Sequence, residues 1–307
     1  MMGVARKRLL ALRQRPYRCG SGRMAGACCL QGSHWFKSPA VVTLHTPYTG
    51  KSVEKCYMKE LRACGGGISS EHLISESVMR LLAGDGQFTI GGTPWLPEGE
   101  SKAVGFKSLT ANCLCERHNG ALSPLDEAAR YLFAALKSCL EKAPDSSNYI
   151  TSGHDLERWL LKTLKALAVS QNLARGRQRL AGKFASDVRI LEMLEKTGVW
   201  PEGTGLYCVM RAGDLTVNHC RFQIAPVTNS NEEICALWTN ILGLSFVLVL
   251  ETSVLTNLPQ LASAVFRPRS FTIRHPSGTH ELVLTWDDGN PHQGDMTLDF
   301  LRDIDAT

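Results

Sequence analysis

Residues 56 to 126 gather side chains of the types that hold metals and hydrolyse phosphodiesters. Ile68-Ser69-Ser70-Glu71-His72 sets a carboxylate beside an imidazole, and Leu114-Cys115-Glu116-Arg117-His118-Asn119 follows further along. Cys56 and Cys64 lie just upstream of the acid–imidazole pair. Thiolate and imidazole together can complete a tetrahedral zinc site. An imidazole that is neutral near pH 7 can also take a proton from water. Soft ligands, a hard carboxylate and a candidate base therefore fall within one short stretch. Cys113 is a spare thiol in the same stretch.

The stretch Cys56 to Asp126 resembles the HNH (ββα-metal, treble-clef) endonuclease family. Its members carry an acidic-His pair at the end of a strand and a Cys-x-x-Cys-Asn cluster near the start of a helix. The resemblance implies that His72 deprotonates a water, while Glu71 and Asn119 hold Mg²⁺ or Mn²⁺ against the scissile phosphate. It also implies a structural zinc on Cys56, Cys64, Cys115 and His118. One carboxylate and one amide oxygen suit Mg²⁺, which keeps most of its waters, and the ion would stabilise charge developing on the phosphate. This chain departs from the family pattern in three places. Seven residues separate Cys56 from Cys64, wider than a usual knuckle; the second pair is Cys-x-x-His; and the middle Asn has only Asn112 as a near counterpart. Read alone, Ser69 to His72 also describes a loop with a half-buried histidine, and Asn119-Gly120 an ordinary turn. Ser123-Pro124-Leu125-Asp126 reads as a helix start, with Ser at the N-cap, Pro at the first position and an acid facing the dipole. Asp126 is accordingly assigned a structural role.

Nearer the N-terminus, Tyr17-Arg18-Cys19-Gly20-Ser21-Gly22 is followed after five residues by Cys28-Cys29. This resembles the SEC-C zinc motif, with Tyr17 in the place of its first cysteine. The resemblance implies a second zinc on Cys19, Cys28 and Cys29. A fourth ligand is then needed, for which His34 is the nearest candidate in sequence; otherwise the motif is degenerate.

At 307 residues the chain can bury a sizeable core in one large or two modest domains. Its eleven cysteines cluster at ligand-like positions rather than forming a disulfide framework. With no secretory signal evident, that usage points to the reducing cytoplasm. The longest apolar run, 241–250, is too short to span a bilayer and reads as a buried strand, so no membrane role is expected. Charge is uneven. Residues 1–53 carry nine Lys or Arg and no acid, while the net charge is +5, so the remainder is mildly acidic. A basic arm suits phosphate neutralisation, which points to DNA, with RNA as the alternative partner. Transit peptides and solubilising tails share that composition.

Three regions follow: a basic arm over 1–39, an HNH-like treble clef over 40–143, and an α+β domain of undefined role over 154–307. Residues 40–45 read as a strand, 75–82 as a helix, 84–105 as a Gly/Pro-rich excursion, and 123–140 as an amphipathic helix. The polar stretch 143–153 reads as a linker. Apolar spacing over 155–174 predicts a core-facing helix whose Lys162, Lys165, Arg175, Arg177 and Arg179 form a solvated face. A second helix is expected over 186–196. Strands are expected at 206–210, 221–225, 243–251, 270–274 and 282–286, with a Pro-Ser-Gly turn before the last, as an antiparallel sheet packed on the two helices. Cys139, Cys208, Cys220 and Cys235 read as buried small hydrophobes, and Asp287 to Asn290 as an acidic turn. The fold class is thus α+β. The expected activity is metal-dependent cleavage of DNA, as a monomer or a dimer; the alternative is a non-catalytic zinc module that binds nucleic acid or a partner protein.

Overall fold

The computed structural model describes residues 19–20, 23–31, 34–83, 87–97, 99–141, 148–175, 178–180, 184, 186–210, 215–216, 221–275, 278–290 and 292–301. Tyr17, Arg18, Ser21, Gly22, Arg177, Cys220, and Pro276 and Ser277 of the expected turn lie outside the described residues, as does most of the basic arm.

The chain is mixed α+β. A small hairpin of β1 (Leu30–Gln31) and β2 (His34–Trp35) comes first. Strand β3 (Ile68–His72) leads into helix α1 (Glu76–Ala83). The Gly/Pro-rich excursion is itself largely a hairpin, β4 (Gln87–Gly91) against β5 (Ser101–Gly105). Strand β6 (Thr110–Cys115) then returns antiparallel to β3 and runs straight into α2 (Glu116–Leu140). Strand β7 (Asn148–Ser152) leads into α3 (Gly153–Val169), and β8 (Ala174–Arg175) pairs with β9 (Gln178–Arg179) ahead of α4 (Arg189–Glu195).

Two five-stranded sheets complete the molecule. One is antiparallel in the order β12-β13-β14-β10-β15, from β10 (Gly205–Cys208), β12 (Phe222–Thr228), β13 (Ile234–Ile241), β14 (Leu244–Val249) and β15 (Val265–Phe266). The other has the order β11-β18-β16-β17-β7, from β11 (Leu215–Thr216), β16 (Ser270–His275), β17 (Gly278–Thr285), β18 (Asp295–Leu301) and the early strand β7. This second sheet is mixed rather than antiparallel: β18 pairs parallel with β16 and β11, and β7 pairs parallel with β17. The stretch read as a linker therefore ends in a buried strand, because Tyr149 and Ile150 are covered and its backbone completes a sheet edge.

Helix α3 sits at the centre. Every residue from Gly153 to Ala168 is buried, so Lys162 and Lys165 lie inside rather than on the expected solvated face, while Arg179, beyond the helix, is exposed. The core around it is continuous from Val42 and Cys56 to Leu298, with Trp159 packed edge-on against Phe133 and tilted onto Phe222.

Residues 40–45 form no strand. Their backbone groups are satisfied by side chains instead of a neighbouring ladder. Asp155 accepts from the Ala40 N–H at 2.9 Å, Arg158 donates to the Ala40 carbonyl at 2.6 Å, and Glu195 accepts from the Leu44 N–H at 2.7 Å. This strap passes directly over the first site.

Candidate functional site

Cys56, Cys64, Cys115 and His118 converge. All four are buried, and their donor atoms lie within 4.8 Å of one another. The sequence brings them together through two close approaches. Cys64 opens a Gly65-Gly66-Gly67 turn that packs on the first turn of α2: Gly67 accepts from the Glu116 N–H at 2.9 Å and Gly65 from the Arg117 N–H at 3.1 Å. Gly66 has φ +71°, and a Cβ there would overlap the Glu116 side chain, so only glycine fits. Cys115 closes β6 and forms the N-cap of α2, so His118 follows one turn later on the same face.

The four donors fit a tetrahedral metal. His118 Nδ1 is 3.4 Å from Cys56 Sγ, 3.8 Å from Cys64 Sγ and 3.3 Å from Cys115 Sγ. A zinc with bonds of about 2.3 Å to sulfur and 2.0 Å to nitrogen would separate such ligands by roughly 3.5 Å. On the far side of the ring, Nε2 lies 3.2 Å from the Leu44 carbonyl. That carbonyl can only accept, so the proton belongs on Nε2 and the Nδ1 lone pair faces the thiols. Arg117 donates to the same carbonyl at 3.0 Å and to that of Ala63 at 2.6 Å, bracing strap and knuckle together. Burial lowers the His118 pKa and pushes the Cys56 thiol up to about 12. Cys64 is raised by burial too, whereas Cys115 goes down: burial opposes ionisation there, but the His118 and Gly65 N–H groups outweigh it. This buried group could hold a metal ion such as zinc. Cys113 does not join it; the thiol is buried separately and pushed up to about 12, by burial first and the nearby Glu71 second.

Glu71 and His72 end β3 and Asn119 lies near the start of α2, and each has a different partner. His72 ends β3, partly buried, with Nε2 3.5 Å from the Glu76 carboxylate and no hydrogen-bond partner for that nitrogen among the described residues. Burial first, with Lys162 and Arg80 adding to it, lowers its pKa although Glu76 and Asp126 pull the other way. Asn119 Nδ2 donates to Ser69 Oγ at 3.1 Å. Asn112 is exposed on β6. Glu71 is only 3% exposed, and its Oε1 lies 2.7 Å from Lys162 Nζ, an ion pair poorly angled for a hydrogen bond.

Lys162 also donates to both oxygens of Asp126, at 2.7 and 2.6 Å. Asp126 is therefore not in a first helical turn. Helix α2 starts at Glu116 and continues through Pro124, and Ser123 Oγ donates back to the Gly120 carbonyl. Asp126 sits mid-helix and faces α3. Ser75 donates to Asp126 and accepts from Trp159 Nε1 at 2.7 Å. Burial works to lower the Lys162 pKa, but Glu71 and Asp126 together carry it above its ordinary value, so the ammonium stays charged. Burial raises Glu71 against the pull of Lys162. The Tyr57 hydroxyl is buried without a partner among the described residues. The sequence carried no signal for the burial of Lys162: Asp155, Arg158, Lys162 and Lys165 fall on one polar face of α3, which in sequence reads as solvated, and only tertiary packing covers it.

The second cysteine group also assembles. Cys19, Cys28 and Cys29 lie within the same 4.8 Å limit, with Cys19 Sγ 3.6 Å from Cys28 Sγ, and no fourth donor joins them among the described residues. Burial, then the neighbouring Cys19 thiol, pushes Cys29 up to about 12. His34 stands exposed on β2, lining a groove with Trp35 and Trp286. The acidic turn at the end of β17 is closed internally: Asp288 accepts from Arg267 at 2.5 Å and pairs with His292 at 2.8 Å.

Fold and site together define a mixed α+β protein with a buried group of three cysteines and one histidine suited to a metal. No helix among the described residues is long and apolar enough to cross a membrane. No family model, no curated protein and no solved structure matches the chain.

Proposed function

We propose that this chain is a metal-dependent, HNH-like endonuclease. Zinc on Cys56, Cys64, Cys115 and His118 would clamp the β3–β6 hairpin to the start of α2. The single observation that carries the reading is the position of His72. It ends the first strand of a ββα unit whose helix is held at the ligand group, and its Nε2, 3.5 Å from the Glu76 carboxylate, makes no hydrogen bond among the described residues. Lowered by burial, this imidazole is neutral near pH 7 and would act as the base once a water reaches its buried Nε2. Glu71 on β3 and Asn119 on α2 would supply the carboxylate and amide ligands of Mg²⁺ or Mn²⁺. The ion would supply charge stabilisation at the phosphate, with DNA as the substrate. The basic N-terminal arm would contribute sequence-independent phosphate contacts.

A second reading, a non-catalytic zinc module that binds nucleic acid or a partner protein, is favoured by one observation: Glu71 is already paired with Lys162. Supercoiled plasmid separates the two. The zinc-loaded protein should nick it only with added Mg²⁺ or Mn²⁺, and His72→Ala or Glu71→Ala should stop the reaction without unfolding the protein. Nicking by His72→Ala would overturn the mechanism. Plasmid bound but uncut, with and without the ion, would favour the module.

A further inference from the structure

Lys162 is the one residue of the site contributed by the central helix, and nothing in the strand–helix motif calls for it. Its ammonium is 3% exposed and touches three carboxylate oxygens: Glu71 Oε1 at 2.7 Å and both oxygens of Asp126, at 2.7 and 2.6 Å. The group is braced on all sides. Asp126 receives the Ser75 hydroxyl, Ser75 receives the Trp159 indole N–H, and Trp159 is one turn from Lys162 on α3. The cation is therefore held in place by packing of the two helices rather than by a free-swinging side chain.

Two carboxylates around one cation is also how a protein holds a divalent ion. A divalent ion that takes Glu71 must either displace the ammonium or lie beside it, and like charges a few ångströms apart inside a protein repel strongly. We propose that Lys162 is an internal competitor that sets the divalent-ion affinity of the candidate site. By occupying Glu71 and Asp126 it keeps the site closed to the ion until something moves α3 relative to β3 and α2. The proposal rests on Glu71 being a ligand of the candidate nuclease site; Asp126 holds the ammonium against it. It gives the C-terminal half of the chain a role: through α3, that half holds the site shut.

The test measures binding of Mn²⁺ to the full-length, zinc-loaded protein by the electron paramagnetic resonance of free Mn²⁺, and in parallel its cleavage of supercoiled plasmid. Lys162→Met removes the competitor. Because that change leaves the buried Glu71 and the partly buried Asp126 without a counter-charge, the double variant Lys162→Met/Asp126→Asn, which keeps the net charge of the group, is measured beside it. Lys162→Arg, which keeps the cation, is the conservative control. The expected result is at least tenfold tighter Mn²⁺ binding in either charge-removing variant, no tightening in Lys162→Arg, and loss of the gain when Glu71→Gln is added. Equal Mn²⁺ affinity in the wild-type protein and the folded double variant overturns the proposal, as does a gain that survives Glu71→Gln. The two readings fail separately. Tighter Mn²⁺ binding without plasmid cleavage leaves Lys162 as the competitor and removes the nuclease. Ion-dependent cleavage whose Mn²⁺ requirement ignores Lys162 does the reverse.

Discussion

Two places on α2 gather donors around room for one cation, and they differ in where the cation comes from. At Cys115 and His118 the protein supplies four donors and no positive charge. Two turns along the helix, at Asp126, it supplies the carboxylates and, through Lys162, the cation too. The difference follows from the ligands. Buried thiols can stay protonated and neutral, as burial makes Cys56 do, and so wait for an outside ion at little electrostatic cost. Buried carboxylates held charged cannot wait, because an uncompensated charge in the core is far costlier. One centre is thus built to be filled, the other to be satisfied as folded. The acidic turn at Asp288 follows the second pattern, with Arg267 as the internal cation bridging to Glu157.

The comparison can be broken most violently at the first centre. Structural zinc contributes on the order of 10 kcal/mol to small zinc folds. Cys115→Ser, or prolonged chelation at neutral pH, should therefore unfold at least the region from 40 to 141, seen as lost helical circular dichroism together with lost zinc by mass spectrometry. A chelated protein that melts unchanged would mean that the thiols are mere core. At the second centre the expected loss is smaller. Lys162→Met strands two carboxylates, and breaking a buried pair costs about 3–5 kcal/mol; denaturant titration should register it, with Lys162→Met/Asp126→Asn recovering part. Equal stability of the wild-type protein and Lys162→Met would mean that the ion pairs seen here do not form. Next comes Gly66→Ala, where the left-handed backbone and the contact with Glu116 predict a loss of about 1–3 kcal/mol and weaker zinc retention. An unchanged melting temperature there would detach the knuckle from α2.

The smallest effect on stability belongs to His72→Ala, expected within about 1 kcal/mol of wild type because the ring is partly exposed and makes no strong hydrogen bond. Its signature is a pH profile. Burial depresses the folded pKa below the ordinary 6.5, so the neutral base persists below that pH. The acid limb of any cleavage profile should therefore fall below pH 6.5, whereas a limb above it would exclude His72 as the base. The linked stability has the same sign: the contribution is fully present above pH 6.5 and is lost as the pH falls through the depressed value.

Much of the first centre was legible in the sequence, because cysteines and a histidine at loop and helix-start positions have few other reasons to cluster. The elements that carry them were legible too: helical spacing announced α1 and α3, and alternation announced β10, β12, β14, β16 and β17. What stayed hidden were features decided across long separations. Residues 40–45 have a strand's composition but find Asp155, Arg158 and Glu195 instead of a partner strand. The apparent helix start at Ser123 lies inside a longer helix, since a proline nine residues into it, at Pro124, can be tolerated where packing on α1 and α3 compensates the lost N–H. Strand β7 looks like a linker until β17 pairs with it.

The sequence by itself determined the donor types, their placement on loop, strand end and first helical turn, and the imidazole beside an acid at the end of β3. Those are local properties, set by spacing and by what each side chain can bond. Only the tertiary structure decided that His118 turns Nδ1 to the thiols because Leu44 takes Nε2, and that Lys162 ends between Glu71 and Asp126. Both depend on bringing segments tens of residues apart into a dry core, where every polar group must find a partner and the partner found determines what the site can do.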